Sequence, residues 1–253
     1  MRECVRRGVP VAVAAYTAIY GQSDWVKSAP PGVRAVLYTD LESTAKQARA
    51  QGWESRVVPH GIATCNGDPA VTGPMLGHKW WKTHPQLALP DVDISIWLDG
   101  SMEVTVPDLA DRALAVLGND DWSMMRHPWR DCALAEGWYS ATLEWRYDRQ
   151  ALERQTAHYA GFHPEHWGLI ATGMNVRRHT PQVAALSDLW WEECLRWSHQ
   201  DQVSLPVLLR LMEMQRGGAS AFAMDVAEVP PINWNMDLPW WQWWTLHEHG
   251  GGQ

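Results

Sequence analysis

The stretch DISIWLDGS, residues 93–101, is the part of the sequence from which the class of fold is best predicted. Its three aliphatic residues alternate with Ser95 and Trp97, which is typical of a buried β-strand, and the strand ends on Asp99 and Gly100. In an open α/β sheet, ligands bind outside the carboxyl ends of the strands. The stretch therefore predicts a central strand with a candidate ligand contact at its end.

Strand and helix patterns alternate on both sides of this stretch. Strands are predicted over 11–20, 33–38, 54–58, 121–126 and 169–177; helices over 41–52, 78–89, 107–117, 132–160, 180–197 and 201–214; and a long loop over 59–77. This alternation predicts an α/β fold with a mainly parallel central sheet flanked by helices. The sequence contains neither an internal repeat nor a linker that divides it, so we expect a single domain over residues 1–253.

The charge balance argues against one class of partner. The chain has 21 basic and 29 acidic side chains, for a net charge of −8, and its short basic runs are Arg6–Arg7 and Arg177–Arg178. Proteins that hold DNA or RNA usually carry a basic stripe. We therefore expect no stable nucleic-acid partner.

The N-terminal run and the cysteines bear on the compartment. An apolar run, residues 9–19, follows three arginines as in a short signal peptide, but its pattern of β-branched residues and its end at Gly21 favour a first strand. The sequence has no run of about 20 apolar residues, so no transmembrane segment is expected. Four cysteines, scattered along the chain, are typical of a reducing compartment. We expect a soluble, cytoplasmic protein.

Three predicted strands end in polar or small residues that suit a nucleotide. The predicted contacts are Thr17, Ala18, Gly21, Thr39, Asp40, Gly100 and Ser101. Asp99, at the end of the most apolar strand, would face a diphosphate and could hold a divalent metal, because magnesium-like ions bind through one or two carboxylates together with phosphate oxygens and water. A strand that ends in Asp-Gly is also a common turn.

A series of short motifs follows one order along nearly the whole chain. They are AYTAIYGQSD (15–24), YTD (38–40), KWWK (79–82), SIWLDGS (95–101), HPWRDC (127–132), HYAGFHPEHWGL (158–169), GMNVRRHT (173–180), LWWEE (189–193) and DQVSLPVLL (201–209). In this order they resemble a family first described as a domain of unknown function, which includes a plant seed-mucilage hexosyltransferase and a protein called a turgor-regulating alkaline ceramidase. The resemblance suggests a bacterial or phage-type member.

The resemblance implies a GT-A-like fold, a Rossmann-like fold for nucleotide-diphospho-sugar transferases, and a glycosyltransferase. Such an enzyme would move a hexose or a related sugar from a nucleotide-diphosphate sugar, with UDP the expected nucleotide, to the hydroxyl of an unidentified acceptor. The implied cofactor is Mn²⁺ or Mg²⁺. Two alternatives are a lipid amide hydrolase, after the ceramidase name, and an inactive carbohydrate-binding or scaffold protein.

The resemblance also implies roles for individual residues. The implied catalytic residues are Asp99, Asp201, Gln202 and Arg177, the implied phosphate contact is Lys82, and the implied metal ligands are Asp99 and His247. Asp201 and Gln202 would bind sugar hydroxyls, and Arg177 or Arg178 would neutralise the departing diphosphate. The sequence departs from the family pattern at Lys79, at the pair His199–Gln200, and at Ser101, where a second acidic metal ligand is usual.

Each of these residues also has an ordinary structural interpretation. Asp201 could simply cap a helix, Lys82 could be a solvated helix lysine, the two arginines an exposed pair, and His247 a histidine in a mobile tail. His127, Arg130 and Asp131 are predicted on a loop that faces the acceptor, with a local salt bridge as the alternative. An inverting enzyme needs a base, for which Glu136, Asp131 and Asp201 are the candidates. The sequence leaves the base and the stereochemistry open.

Overall fold

The structure, a computed structural model, describes residues 11–59, 69–216, 232–233 and 243–247. The strands are β1 (Val13–Ile19), β2 (Arg34–Thr39), β3 (Glu54–Val57), β4 (Ile94–Leu98), β5 (Met102–Val104), β6 (Trp122–Arg126), β7 (Ile170–Arg178), β8 (Ile232–Asn233) and β9 (Trp244–Leu246). The helices are α1 (Glu42–Ala50), α2 (Pro69–Thr83), α3 (Pro85–Ala88), α4 (Leu109–Leu117), α5 (Ala133–Ser140), α6 (Arg149–Ala160), α7 (Pro181–Arg196) and α8 (Asp201–Arg216).

Seven of the described strands form the central sheet, in the order β3-β2-β1-β4-β7-β6-β8. β1 is parallel to β2 and β4, β2 to β3, and β6 to β8, whereas β7 is antiparallel to both of its neighbours, β4 and β6. Six of these strands therefore run one way and β7 runs the other. The predicted α/β fold with a mainly parallel sheet and flanking helices is confirmed.

The central strands are buried on both faces. All five residues of β4 are buried, and alternate residues of β1 belong to different core clusters: Ala15 and Ile19 pack on one face, Ala14 and Tyr16 on the other. Successive side chains of a strand point to opposite faces, so both faces of this sheet are covered. Continuous apolar runs such as β4 follow from this double burial.

A second, two-stranded sheet lies just beyond the end of β4. β5 follows the Asp99–Ser101 turn and pairs antiparallel with β9, with Met102 opposite Leu246. Trp243, immediately before β9, is buried in the core cluster of β1 and β4. The chain near its C-terminus is thereby held against the edge of the sheet where Asp99 lies.

Helix α2 begins earlier than the sequence predicted. Residues 69–77, expected as loop, form its first half, even though Pro74 lies inside the helix. Pro74 packs on the turn after β1, where a Cβ at Gly21 would lie 2.7 Å from the Pro74 Cβ. Gly21 has a φ of +59°, which a side chain would also disfavour. In the ranges that the structure describes, α2 and the other helices are all too short or too polar to cross a bilayer.

Candidate active site

Asp99 lies at the carboxyl end of β4, with 33% of its side chain exposed. Its Oδ1 accepts hydrogen bonds from Lys82 Nζ at 3.1 Å and from Trp97 Nε1 at 2.7 Å, and its backbone N–H donates to the Gly173 carbonyl at 2.8 Å. A Cβ at position 173 would lie 3.2 Å from the Met102 sulfur and 3.4 Å from Asp99 Oδ2, so Gly173 packs closely on Met102 beside that oxygen. Asp99 is therefore fixed through Oδ1, while Oδ2 lies beside Gly173.

Asp99 belongs to a cluster of four charged side chains, in which Lys82 contacts both Asp99 and Asp201 and Lys79 contacts Asp201. Lys82 is fully buried, and its Nζ lies 2.6 Å from Asp201 Oδ2 and 3.2 Å from the Thr172 hydroxyl. Lys79 Nζ, also buried, lies 2.8 Å from Asp201 Oδ1. Two ammonium groups thus face two carboxylates, Asp99 and Asp201, and the charges of this ion cluster balance. Balance is required because an unpaired buried charge is strongly destabilising.

Asp201 is ionised in this cluster. Burial alone would raise the pKa of its carboxyl, but the charges and hydrogen bonds of Lys79 and Lys82 outweigh burial and hold the pKa well below its ordinary value. Each of its carboxylate oxygens faces one lysine. Asp201 thus acts on the site through Lys82, which contacts Asp99.

A cavity of about 820 Å³ opens beside Asp99, a size that suits a small-molecule ligand. One part of its wall comes from the ends of the central strands and the start of α8, with Asp99, Ser101, Gly173 and Gln202. Another part comes from the loop after β6 and from α5, with His127, Trp129, Arg130, Glu136 and Tyr139. Side chains that could bind phosphate, sugar hydroxyls and a proton therefore share one cavity.

The α5 wall carries a second carboxylate, Glu136. It is 3% exposed, and its Oε2 lies 2.5 Å from Arg130 Nε. Its Oε1 accepts from Gln200 Nε2 at 3.1 Å and, weakly, from the Ser140 hydroxyl at 3.4 Å. The Arg130 guanidinium also lies 4.5 Å from the centre of the Tyr139 ring. Glu136 is thus oriented by three polar groups at the cavity wall.

The loop before α5 separates the three residues that were predicted to face the acceptor. His127 and Arg130 line the cavity, whereas Asp131 is exposed and pairs with His166 at 2.8 Å. Burial, aided by the charge of Arg130, lowers the pKa of His127 to about 4. His127 is therefore neutral, and its Nδ1 accepts from the backbone N–H of Arg130 at 3.0 Å.

The residues predicted to contact the nucleotide lie at the ends of β1 and β2. The Gly21 N–H donates to Asp40 Oδ1 at 3.0 Å, which joins these two strand ends. Thr39 accepts from the Leu41 N–H at 3.2 Å through its hydroxyl. Thr17 is buried and lines a water-sized cavity together with Asp99 and Gly100. Ala18 is buried within β1.

Arg177 is placed away from the end of β4. Because β7 is antiparallel, Arg177 pairs with Ser95, three residues before Leu98. It is fully buried and donates to the Tyr16 hydroxyl at 2.7 Å and to the Lys82 carbonyl at 2.5 Å. Arg177 is therefore not exposed, as one interpretation had it, and it is connected to Asp99 through Lys82 and, by way of the Tyr16 hydroxyl, through the Tyr16–Trp97 ring contact. The neighbouring Arg178 lies level with the first residue of β4.

His247 approaches the site through its backbone. Its N–H donates to the Ser101 carbonyl at 2.9 Å, while its ring Nε2 lies 2.9 Å from Glu103 Oε2. Within the described residues, no three His, Cys, Asp or Glu side chains form a metal-binding group. Asp99 nevertheless fits an ion held by one carboxylate, since it lines the cavity with a third of its side chain exposed and such ions take their other ligands from phosphate and water.

The sequence analysis missed several residues of the site. Lys79 was treated only as a departure from a pattern, yet it neutralises Asp201. Ser140 lies four residues after Glu136 on α5, a spacing that places both on one helix face and could have been noticed. Gln200 contacts Glu136 across 64 residues of sequence, a pairing for which the sequence alone carries no signal.

Several solved structures resemble this chain in fold. The structure is similar to core-mannan synthase A from Aspergillus fumigatus in its Mn/GDP form (9% identity, TM-score 0.46, 81% of this chain and 71% of that one). It is also similar to the mannosyltransferase Ktr4p from S. cerevisiae (9%, 0.45, 83% and 69%) and to mouse xyloside xylosyltransferase 1 (10%, 0.40, 82% and 83%). These likenesses concern the fold alone.

The sequence comparisons are more specific. No curated protein matches the chain. Residues 82–228 match the TOD1/MUCI70, glycosyltransferase-like domain, and this segment includes Lys82, Asp99, Glu136 and Asp201. The match covers more than half of the sequence, and the chain therefore belongs to the TOD1/MUCI70 family of glycosyltransferase-like domains.

Proposed function

We propose that this protein is a nucleotide-sugar-dependent glycosyltransferase in which residues 1–253 form one GT-A-like domain. It transfers a hexose or related sugar from a UDP-sugar, or from the sugar derivative of another nucleoside diphosphate, to an acceptor hydroxyl. One observation carries the proposal: Asp99, at the carboxyl end of the central strand, faces a cavity of about 820 Å³ and is held from below by the buried Lys82. A diphosphate leaving a sugar needs a fixed electrostatic environment of this kind.

A divalent cation, Mn²⁺ or Mg²⁺, is part of the proposal. Asp99 would hold it, and when bound it would neutralise charge on the departing diphosphate. The ring of His247 is paired with Glu103, so a role for His247 at the metal would require it to leave that carboxylate. Asp99 is consequently the residue on which metal binding should depend.

In this proposal the other predicted residues either contact the substrate or position Lys82. Gln202 lines the cavity and binds a sugar hydroxyl. Asp201 and Arg177 act as positioning residues, because the first holds the Lys82 ammonium and the second donates to the Lys82 carbonyl. The strand ends with Gly21, Asp40, Gly100 and Ser101 receive the nucleotide, whereas Thr17, Ala18 and Thr39, also predicted as contacts, are buried within the sheet and do not reach it. Free, buried thiols at Cys132 and Cys194 support a cytoplasmic location.

A donor screen combined with Asp99→Asn tests the proposed function. We expect the wild type, with Mn²⁺, to release UDP or GDP from at least one of a panel of UDP- and GDP-sugars. Asn cannot supply the negative charge, so turnover should fall about 10²–10³-fold, a loss typical of one removed transition-state contact. The unfolding free energy should fall by less than about 3–5 kcal/mol, the loss for a broken, fully buried pair, since a third of the Asp99 side chain is exposed and Lys82 keeps Asp201.

Asp108→Asn is the matched control, because Asp108 pairs with Arg112 in a partly exposed ion pair and does not line the cavity. It should retain turnover. Calorimetry with UDP or GDP and Mn²⁺ separates the alternatives. Binding without turnover would favour a sugar-binding protein that lacks catalysis, whereas a wild type that binds neither nucleotide would contradict the proposed function.

A further inference from the structure

We infer that Glu136 is the general base that takes the proton of the acceptor hydroxyl, and that transfer consequently inverts the anomeric centre. The inference rests on the proposed function and extends it to the acceptor half of the cavity. It follows from the different positions of the three candidate carboxylates, Glu136, Asp131 and Asp201.

Two of these carboxylates are poorly placed for proton transfer. Asp201 is buried, with one lysine ammonium within 2.8 Å of each of its oxygens, and it does not line the cavity. Asp131 is exposed on the outer side of its loop, where it pairs with His166. A general base must lie within hydrogen-bond reach of the proton that it removes, which neither geometry favours.

Glu136 meets the requirement of position. It lines the same cavity as Asp99, although only 3% of the residue is exposed. The Arg130 guanidinium lies against Oε2, with its Nε at 2.5 Å, and holds that side of the carboxylate in place. Gln200 Nε2 donates to Oε1 at 3.1 Å and to the Ser140 hydroxyl at 2.8 Å, and these contacts fix the plane of the carboxylate.

The backbone around Glu136 is also firmly placed. Glu136 lies in the first turn of α5, and its N–H donates to the Cys132 carbonyl at 3.0 Å. The next residue, Gly137, packs so closely on α6 that a Cβ there would lie 2.1 Å from the Thr156 hydroxyl. These contacts place Glu136 firmly, and positioning of a catalytic group can supply a substantial part of a rate enhancement.

The inferred reaction is a single displacement at the anomeric carbon of the donor sugar. The acceptor oxygen forms a bond to the anomeric carbon as the bond from that carbon to the diphosphate oxygen breaks. The electron pair of the broken bond stays on the diphosphate, and the proton of the acceptor hydroxyl moves to Glu136. Because only one displacement occurs, the product has the opposite anomeric configuration to the donor.

The experiment uses water and azide as acceptors, with a nucleotide sugar that the wild type hydrolyses in the presence of Mn²⁺. Water must lose a proton during attack, whereas the azide anion need not. Glu136→Gln should therefore reduce hydrolysis about 10²–10⁴-fold, the usual contribution of a general base. With azide, its rate should return to within about tenfold of the wild type.

Two controls make the result specific. Asp131→Asn removes a carboxylate five residues away, outside the cavity, and should leave both rates unchanged. Binding of UDP or GDP with Mn²⁺ to Glu136→Gln should match the wild type within about twofold, because Glu136 serves the acceptor and not the donor. An equal loss with water and azide, accompanied by lost nucleotide binding, would show a structural role and overturn the inference.

The anomer released by the wild type provides a test that needs no variant. Proton NMR immediately after hydrolysis should show the inverted sugar. A retained configuration, or wild-type hydrolysis by Glu136→Gln, would overturn the inference while leaving the proposed function intact. A wild type that neither binds nor hydrolyses any nucleotide sugar would overturn both.

Discussion

At the scale of single residues, Asp201 is the group that makes two buried lysines tolerable. Lys79 and Lys82 lie three residues apart on α2. Each approaches a different oxygen of the Asp201 carboxylate, at 2.8 and 2.6 Å respectively. Lys82 also reaches Asp99, but Lys79 depends on Asp201. Removing a single partner from a buried ion pair leaves an uncompensated charge, which costs more than the pair contributes when intact.

Asp201→Asn should accordingly lower the unfolding free energy by about 3–5 kcal/mol, the range for a broken buried pair. Adding Lys79→Met should restore a good part of that loss, since the remaining Lys82 and Asp99 then balance. Urea unfolding of the two single variants and the double variant forms a complete cycle. Additive losses would indicate that Asp201 does not neutralise Lys79.

Residue-level prediction from the sequence succeeded where one strand carried the information. Asp99 was placed at a sheet edge from the alternation of residues 94–98 alone, and the structure puts it there. The buried partners could not be found in this way, because Lys79, Lys82 and Asp201 meet only once α2 has packed on β1 and α8 on β7. Charge on a helix otherwise indicates a solvated face.

At the scale of elements, the contact between α5 and α6 determines where Glu136 stands. The sequence predicted one helical region over 132–160 with a weak point at Gly137, whereas the structure has two helices and Gly137 inside the first. The glycine is a packing requirement, since a Cβ there would overlap the Thr156 hydroxyl.

Gly137→Ala should therefore destabilise the protein by about 1–3 kcal/mol, although alanine is the better helix former. Thr156→Ala removes the overlapping hydroxyl and methyl groups, so the double variant should be more stable than Gly137→Ala alone. Thermal unfolding of the three variants checks this. A stabilising Gly137→Ala would show that the two helices can separate without cost.

Several element boundaries depend on tertiary contacts that no local pattern contains. α2 extends through residues rich in glycine and proline because it packs on β1 and α7. β5 is three residues long and exists by pairing with β9, whose paired residues lie 140 to 144 positions further along the chain. The strands β1, β2, β4 and β6 were predicted to within two residues at each end, because each contains a run of apolar residues that indicates a buried strand without reference to the rest of the chain.

At the scale of the whole molecule, buried histidines make the fold sensitive to acid. Burial, with help from nearby Arg or Lys, lowers the pKa of His127, His163 and His179 to about 4 and that of His199 to about 3. An unfolded histidine titrates near 6.5. Between about pH 6.5 and 4 the unfolded chain therefore binds more protons than the folded one, and stability falls as the pH falls.

We expect the unfolding free energy, measured by urea titration, to be nearly constant above pH 7.5 and to decrease steadily below pH 6.5. His199, which is 4% exposed, should contribute up to about 1.4 kcal/mol for each pH unit in that window. His199→Gln should reduce the slope by about that amount, even if it lowers stability at pH 8. An unchanged slope would mean that His199 is protonated in the folded protein.

Because β7 runs antiparallel to its neighbours, it begins at the edge of the sheet where β4 ends, and it ends at the edge where β4 begins. Its first residues, near Gly173, lie beside Asp99, whereas its last two, Arg177 and Arg178, lie level with the beginning of β4, about 13 Å along the strand. The chain that enters β7 therefore leads to the cavity, which Ala171 and Gly173 line, whereas the short turn into α7 lies at the opposite end of the strand. Chain-length variation among relatives should alter substrate choice when it falls in the former and be silent in the latter.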